Sequence, residues 1–123
     1  MESPHKGQTG IRRIVSAARN SLAGLAAALR HEDAFRQELI IAAVLVPVAL
    51  FMNVTFLEKA LLVGSVLLVL IVELLNSAIE ATVDRVSLEV HPLARRAKDL
   101  GSAAVMLALV LAASVWLIVL LDR

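Results

Sequence analysis

Twenty-two consecutive residues, LGSAAVMLALVLAASVWLIVLL from Leu100 to Leu121, carry no charge at all. Coiled as a helix at about 1.5 Å per residue, they cover roughly the 30 Å of a bilayer's hydrocarbon layer. Lipid offers no hydrogen-bond partners to a backbone, so a stretch this long and this apolar is restricted to a helix that satisfies its own N–H and C=O groups. Two more stretches qualify. LIIAAVLVPVALFMNVTFL (Leu39 to Leu57) is apolar until Asn53, with Pro47 expected to loosen one turn, and a second begins at Ala60, runs through ALLVGSVLLVLIV and continues past Glu73 to about Val83. The spans are expected at about 37–57, 60–83 and 98–121, in one domain covering 1–123. A soluble fold is the poorer reading, because 123 residues that are 59% hydrophobic leave too little interior to hide the apolar surface.

Ahead of the first span, apolar side chains recur at Ile11, Ile14, Val15, Ala18, Leu22, Leu25 and Leu29, the period of a helix with one greasy face. Arg12, Ser16, Arg19 and Asn20 fall largely on the other side. A basic amphipathic helix beside membrane spans, about 11–30, is expected to lie in the interface with its apolar face down. Orientation follows from the lysines and arginines. Lys6, Arg12, Arg13, Arg19, Arg30 and Arg36 precede the first span, and Arg85, Arg95, Arg96 and Lys98 join the second to the third. The first hairpin turn offers only Lys59, and the carboxyl end Arg123. Both basic regions, and with them the amino terminus, are expected on the cytoplasmic side, leaving the carboxyl terminus outside.

The second span holds the unusual feature. In IVELLNSAIEATVDR, Glu73, Asn76 and Glu80 are three and four residues apart, so they share one helix face, and Asp84 extends the row by a turn. An ionised carboxylate near a helix centre in lipid costs roughly 2.5–3.5 kcal/mol on insertion scales, so Glu73 needs a partner, a proton or water. Placed there, Glu73 suits a general base, while Glu80, nearer the interface, suits a hard cation such as Mg²⁺. Plain structural uses stand beside these. Asn76 can simply bond one helix to another, Asp84 can pair with Arg85 at a helix end, and Glu32, Asp33 and Glu38 in RHEDAFRQE can be solvated charges. Asp99 can cap a helix beginning LGSA, or Lys98 can meet phosphate while Asp99 orients a donor.

Other chemistries find no support. There is no cysteine, and His5, His31 and His91 share no ligand spacing. No glycine-rich phosphate loop occurs. The arginines have no aromatic partners on which bases would stack, so nucleic acid is not expected as a partner.

ELLNSAIEATVDR, with RAKDLGSAAV after it and EDAFRQE before it, resembles the small integral-membrane diacylglycerol kinases of bacteria, and the similarity runs in the same order from TGIRRIVSAARNS to the last helix. The resemblance implies an all-α membrane protein, with an amino-terminal amphipathic surface helix and three transmembrane helices per protomer, assembled as a homotrimeric bundle in the bacterial cytoplasmic (inner) membrane. It implies transfer of the γ-phosphoryl group of MgATP to sn-1,2-diacylglycerol, giving phosphatidic acid. By position, Glu73 matches the catalytic base, and Glu32 and Glu80 match the carboxylates that hold Mg²⁺. Arg13, Lys98 and Asp99 match nucleotide contacts, and Glu89 and His91 fall in the stretch approaching the nucleotide. Ser102 matches a position near the lipid, where Arg13 and Glu73 also contribute. Asn76 and Asp84 are supporting residues. Sites in this family are shared between protomers, so these side chains need not meet within one chain. Asn20 stands where a well-known member has an aromatic residue.

Two competing functions keep different chemistry. An undecaprenol kinase would share the donor reaction with another acceptor, and ELLNSAIE, with Ser77 where the polyprenol branch has threonine, favours diacylglycerol. A non-catalytic membrane subunit would use the polar row only to join helices.

Overall fold

The computed structural model describes residues 9–86 and 91–123. It falls into two compact units, the first ending at Glu32 and the second spanning Asp33–Arg123. Among the described residues, the secondary structure consists of α1 (Gly10–His31), α2 (Asp33–Phe51), α3 (Phe56–Val86) and α4 (Pro92–Leu121). Length and composition make three of them, α2, α3 and α4, capable of crossing a membrane.

The first unit is the single helix α1. Gly10 enters it with φ of 64°, a left-handed backbone open to glycine. Arg30 and His31 occupy the last turn, where positive charge complements the helix dipole. The chain leaves through Glu32, whose extended backbone still donates its N–H to the carbonyl of Ala28.

In the second unit α3 is the middle element, packed against both α2 and α4. α2 runs unbroken through Pro47. The expected loosening therefore does not interrupt it, in keeping with the tolerance of membrane helices for proline. Ala49 of α2, Leu62 of α3 and Val119 of α4 form a buried cluster, with Met52, Val54, Val63, Val115 and Trp116 packed around it. Small alanine faces let the helices approach, and Leu62, wholly enclosed, fills the space between them.

The α2–α3 turn is held by polar contacts made within its own sequence. Thr55 and Glu58 form a capping box: the Glu58 N–H donates to Thr55 Oγ1 at 3.1 Å, and the Thr55 N–H donates to Glu58 Oε1 at 3.0 Å. Lys59 donates from Nζ to the carbonyl of Leu50 at 2.8 Å, satisfying one of the open carbonyls at the end of α2, and stands 5.7 Å from the Phe56 ring centre. Thr55→Ala removes the cap oxygen and is expected to lower stability by about 1 kcal/mol. Graded SDS unfolding in mixed micelles measures it.

α4 opens earlier than its apolar run implies. His91 is its N-cap, accepting the Leu93 N–H on Nδ1 at 3.0 Å, and Pro92 takes the first helical position, where a missing N–H costs nothing. Asp99 is therefore inside the helix and does not cap it. Many large apolar side chains of α2, α3 and α4 point outward, among them Ile40, Val44, Leu75, Leu107 and Ile118. In water so much exposed apolar surface would be untenable, but against lipid or other helices it is ordinary.

Candidate active site

α3 carries its acidic row from an enclosed setting to an open one. Glu73, thirteen residues before the helix's last residue, is only 5% exposed. Asn76 and Glu80 are half-buried, and Asp84 is exposed. One face of one helix thus presents a shielded carboxylate, a polar relay and two carboxylates progressively nearer solvent.

The two middle members are joined: Asn76 Nδ2 donates to Glu80 Oε1 at 3.2 Å. Being an acceptor only, an ionised carboxylate there dictates which end of the amide faces it. The opposite end, Asn76 Oδ1, is buried and accepts no hydrogen bond from the described residues. It points at the backbone of α4, where Gly101 is itself buried. A Cβ on residue 101 would come within 2.2 Å of that oxygen. That Gly101 meets Asn76 is not legible in the sequence, because the crossing of two helices is invisible to the periodicity of either one.

A second link between the same helices lies nearer solvent. Lys98 Nζ contacts Asp84 Oδ1 at 2.6 Å. Asp84 therefore pairs across to α4 and not with its chain neighbour Arg85, since adjacent residues on a helix diverge and do not face each other. Lys98 thereby stands one turn before Gly101, beside the acidic row.

The remaining expected site residues are dispersed. Asp99 and Ser102 are exposed on α4, and His91 is engaged through Nδ1 as its cap. Glu89 lies outside the described residues. Arg13, exposed on α1, and Glu32, half-buried at its end, belong to the first unit. Glu38, for which the sequence allows a plain solvated charge, is half-buried and borders an apolar cavity of about 330 Å³ between α2, α3 and α4. Trp116 closes part of the same cavity, its Nε1 buried with no acceptor among the described residues.

The donor set bears on which cation fits. Among the described residues no three acidic or histidine side chains gather into a cage of their own. Glu80, with one oxygen taken by Asn76, could hold only an ion that keeps water and phosphate oxygens in its shell. Mg²⁺ carried in on a nucleotide is such an ion, since it typically takes only one or two protein carboxylates.

Three membrane-length helices, one bearing a carboxylate row graded from shielded to open, define an integral-membrane protein with ionisable chemistry toward one end of its middle helix. The profile of the family described as prokaryotic diacylglycerol kinase matches residues 19–120. A diacylglycerol kinase of Pseudomonas aeruginosa is 57% identical over 119 residues, covering 97% of both chains. One from Escherichia coli K12 is 50% identical over 91% of this chain and 92% of its own, and one from Haemophilus influenzae is 45% identical over 88% and 92%. This chain belongs to the prokaryotic diacylglycerol kinase family.

Proposed function

We propose that the chain phosphorylates sn-1,2-diacylglycerol with ATP at the cytoplasmic face of a bacterial inner membrane, giving phosphatidic acid and ADP. The observation that carries the reading is the match along 97% of both chains to a protein named diacylglycerol kinase. The acidic row gives it a physical basis. A diacylglycerol hydroxyl resides near the headgroup boundary while ATP arrives from water, so a site beginning within a helix and ending in solvent serves both reactants.

In the reaction the acceptor hydroxyl oxygen forms a bond to the γ-phosphorus, the bond from that phosphorus to the ADP oxygen breaks, and the hydroxyl proton passes to Glu73. Glu73 suits the role because its enclosure keeps water, the competing acceptor, away from the transferred group. Glu80 and Glu32 would hold the Mg²⁺ of the nucleotide, and that ion, when bound, would neutralise charge on the phosphate oxygens. Asn76 fixes the orientation of the Glu80 carboxylate. Lys98, held by Asp84, and Arg13 meet the phosphates, and Asp99, Glu89 and His91 line the nucleotide's approach. Ser102, with Arg13, lies along the lipid's.

The assembly is a homotrimer whose sites draw residues from neighbouring protomers, with α1 lying amphipathically on the membrane surface. The outward apolar side chains of the three spanning helices support such packing. The arginines and lysines of α1 and of the α3–α4 connection support an amino terminus in the cytoplasm and a carboxyl terminus outside.

Purified protein given MgATP and either diacylglycerol or undecaprenol in matched mixed micelles tests the reading. Phosphatidic acid as the dominant product is expected. Preferential phosphorylation of undecaprenol reassigns the acceptor, and phosphorylation of neither, with no nucleotide binding, leaves only a structural subunit.

A further inference from the structure

The polar row on α3 has a counterpart on α4 that holds it in place. Asn76 has two jobs that compete for one flexible side chain. Its amide nitrogen reaches along α3 to Glu80, and its oxygen must then go wherever that leaves it. It goes against Gly101, into the space that any other residue's side chain would fill, 2.2 Å from the position of a Cβ. Lys98 and Asp84 also link α3 to α4 one turn away on α4.

From this geometry we infer that Gly101 is a positioning residue for Glu80, acting through Asn76: the missing side chain on α4 is what permits the amide to turn its nitrogen toward the carboxylate. The inference rests on the role given above to Glu80. The contacting atom is the end of a side chain and not backbone, which makes the consequence specific. In Gly101→Ala the added methyl meets Asn76 Oδ1, the amide swings aside, and the helices keep their crossing. Fold is retained while the hydrogen bond to Glu80 is lost. Asn76 Cγ, at 3.3 Å, must shift with the rest of that side chain, while Ile79 Cδ1 lies 3.8 Å from the Cβ position, at ordinary contact distance, so no other residue needs to move.

Measurements on the protein in lipid micelles read this out. The Asn76 side-chain amide resonances, in protein selectively labelled at asparagine, are expected to shift in Gly101→Ala, while thermal stability and oligomer size stay at wild-type values. Binding of the Mn²⁺–ATP complex, followed by the electron paramagnetic resonance of the free ion, is expected to weaken about tenfold, the size seen when an outer partner of a metal-holding group is removed. The apparent Mg²⁺ requirement for turnover rises with it, whereas the KM for diacylglycerol does not. In Asn76→Ser the shorter side chain makes room for a methyl, so adding Gly101→Ala to that background is expected to cost little further, the non-additivity of two residues acting through one contact.

Unchanged Asn76 resonances in a folded Gly101→Ala protein overturn the inference, as does full additivity of the two substitutions. A Gly101→Ala protein that fails to assemble overturns it too, since the amide would then not be the part that yields. The spectra probe the contact independently of catalysis, so a wild-type protein with shifted resonances in Gly101→Ala but no lipid kinase activity would count against the proposed function alone.

Discussion

Glu73→Gln is expected to reduce kcat by about a hundred- to ten-thousand-fold, the range removed with a positioned general base, while the protein still inserts and assembles. Glutamine keeps the size and hydrogen-bonding capacity of the side chain but has no basic oxygen to receive the hydroxyl proton. Because Glu73 is enclosed and glutamine matches its size, the packing around it is expected to survive the substitution. The KM for MgATP should move little, since the proposed role of the residue is on the acceptor side. Steady-state kinetics at matched protein concentration decide the matter; wild-type turnover in the variant would remove Glu73 from the mechanism.

Glu80→Gln tests the other end of the row and fails differently. The carbonyl of glutamine can still accept the Asn76 amide, so the local arrangement survives and only the negative charge is lost. The expected result is an apparent Mg²⁺ requirement raised by about a hundredfold, equivalent to roughly 2.8 kcal/mol at 1.4 kcal/mol per factor of ten. A magnesium titration at fixed ATP, with turnover at saturating metal measured separately, distinguishes this from a general loss of activity. An unchanged titration would show that Glu80 does not hold the cation. The two variants together separate proton transfer from metal handling.

The parts of this fold that the amino-acid string makes plain are those on which solvent leaves no choice. Lipid demands helices, so α2, α3 and α4 could be read from hydropathy, and a period of three and four was enough to align Glu73, Asn76 and Glu80. Local signals were also present at the ends. Thr55 and Glu58 have the spacing of a capping box, and His91 followed by Pro92 has the order of a cap and a first helical residue. The register of one helix against another was not legible. That Gly101 meets Asn76, that Lys98 reaches Asp84, and that Glu38 turns toward a cavity all depend on how far α3 slides along its neighbours. A single helix's repeat holds no record of that offset.

The outward-facing side chains of the spanning helices have a kinetic consequence. Enzyme and acceptor dissolve in the same thin sheet, so the encounter between them follows the acceptor's mole fraction among the surrounding amphiphiles and not its molarity in the tube. Diluting the sheet with inert detergent at constant lipid molarity slows the reaction, and rate constants from different micelles or vesicles become comparable only once expressed per unit of surface.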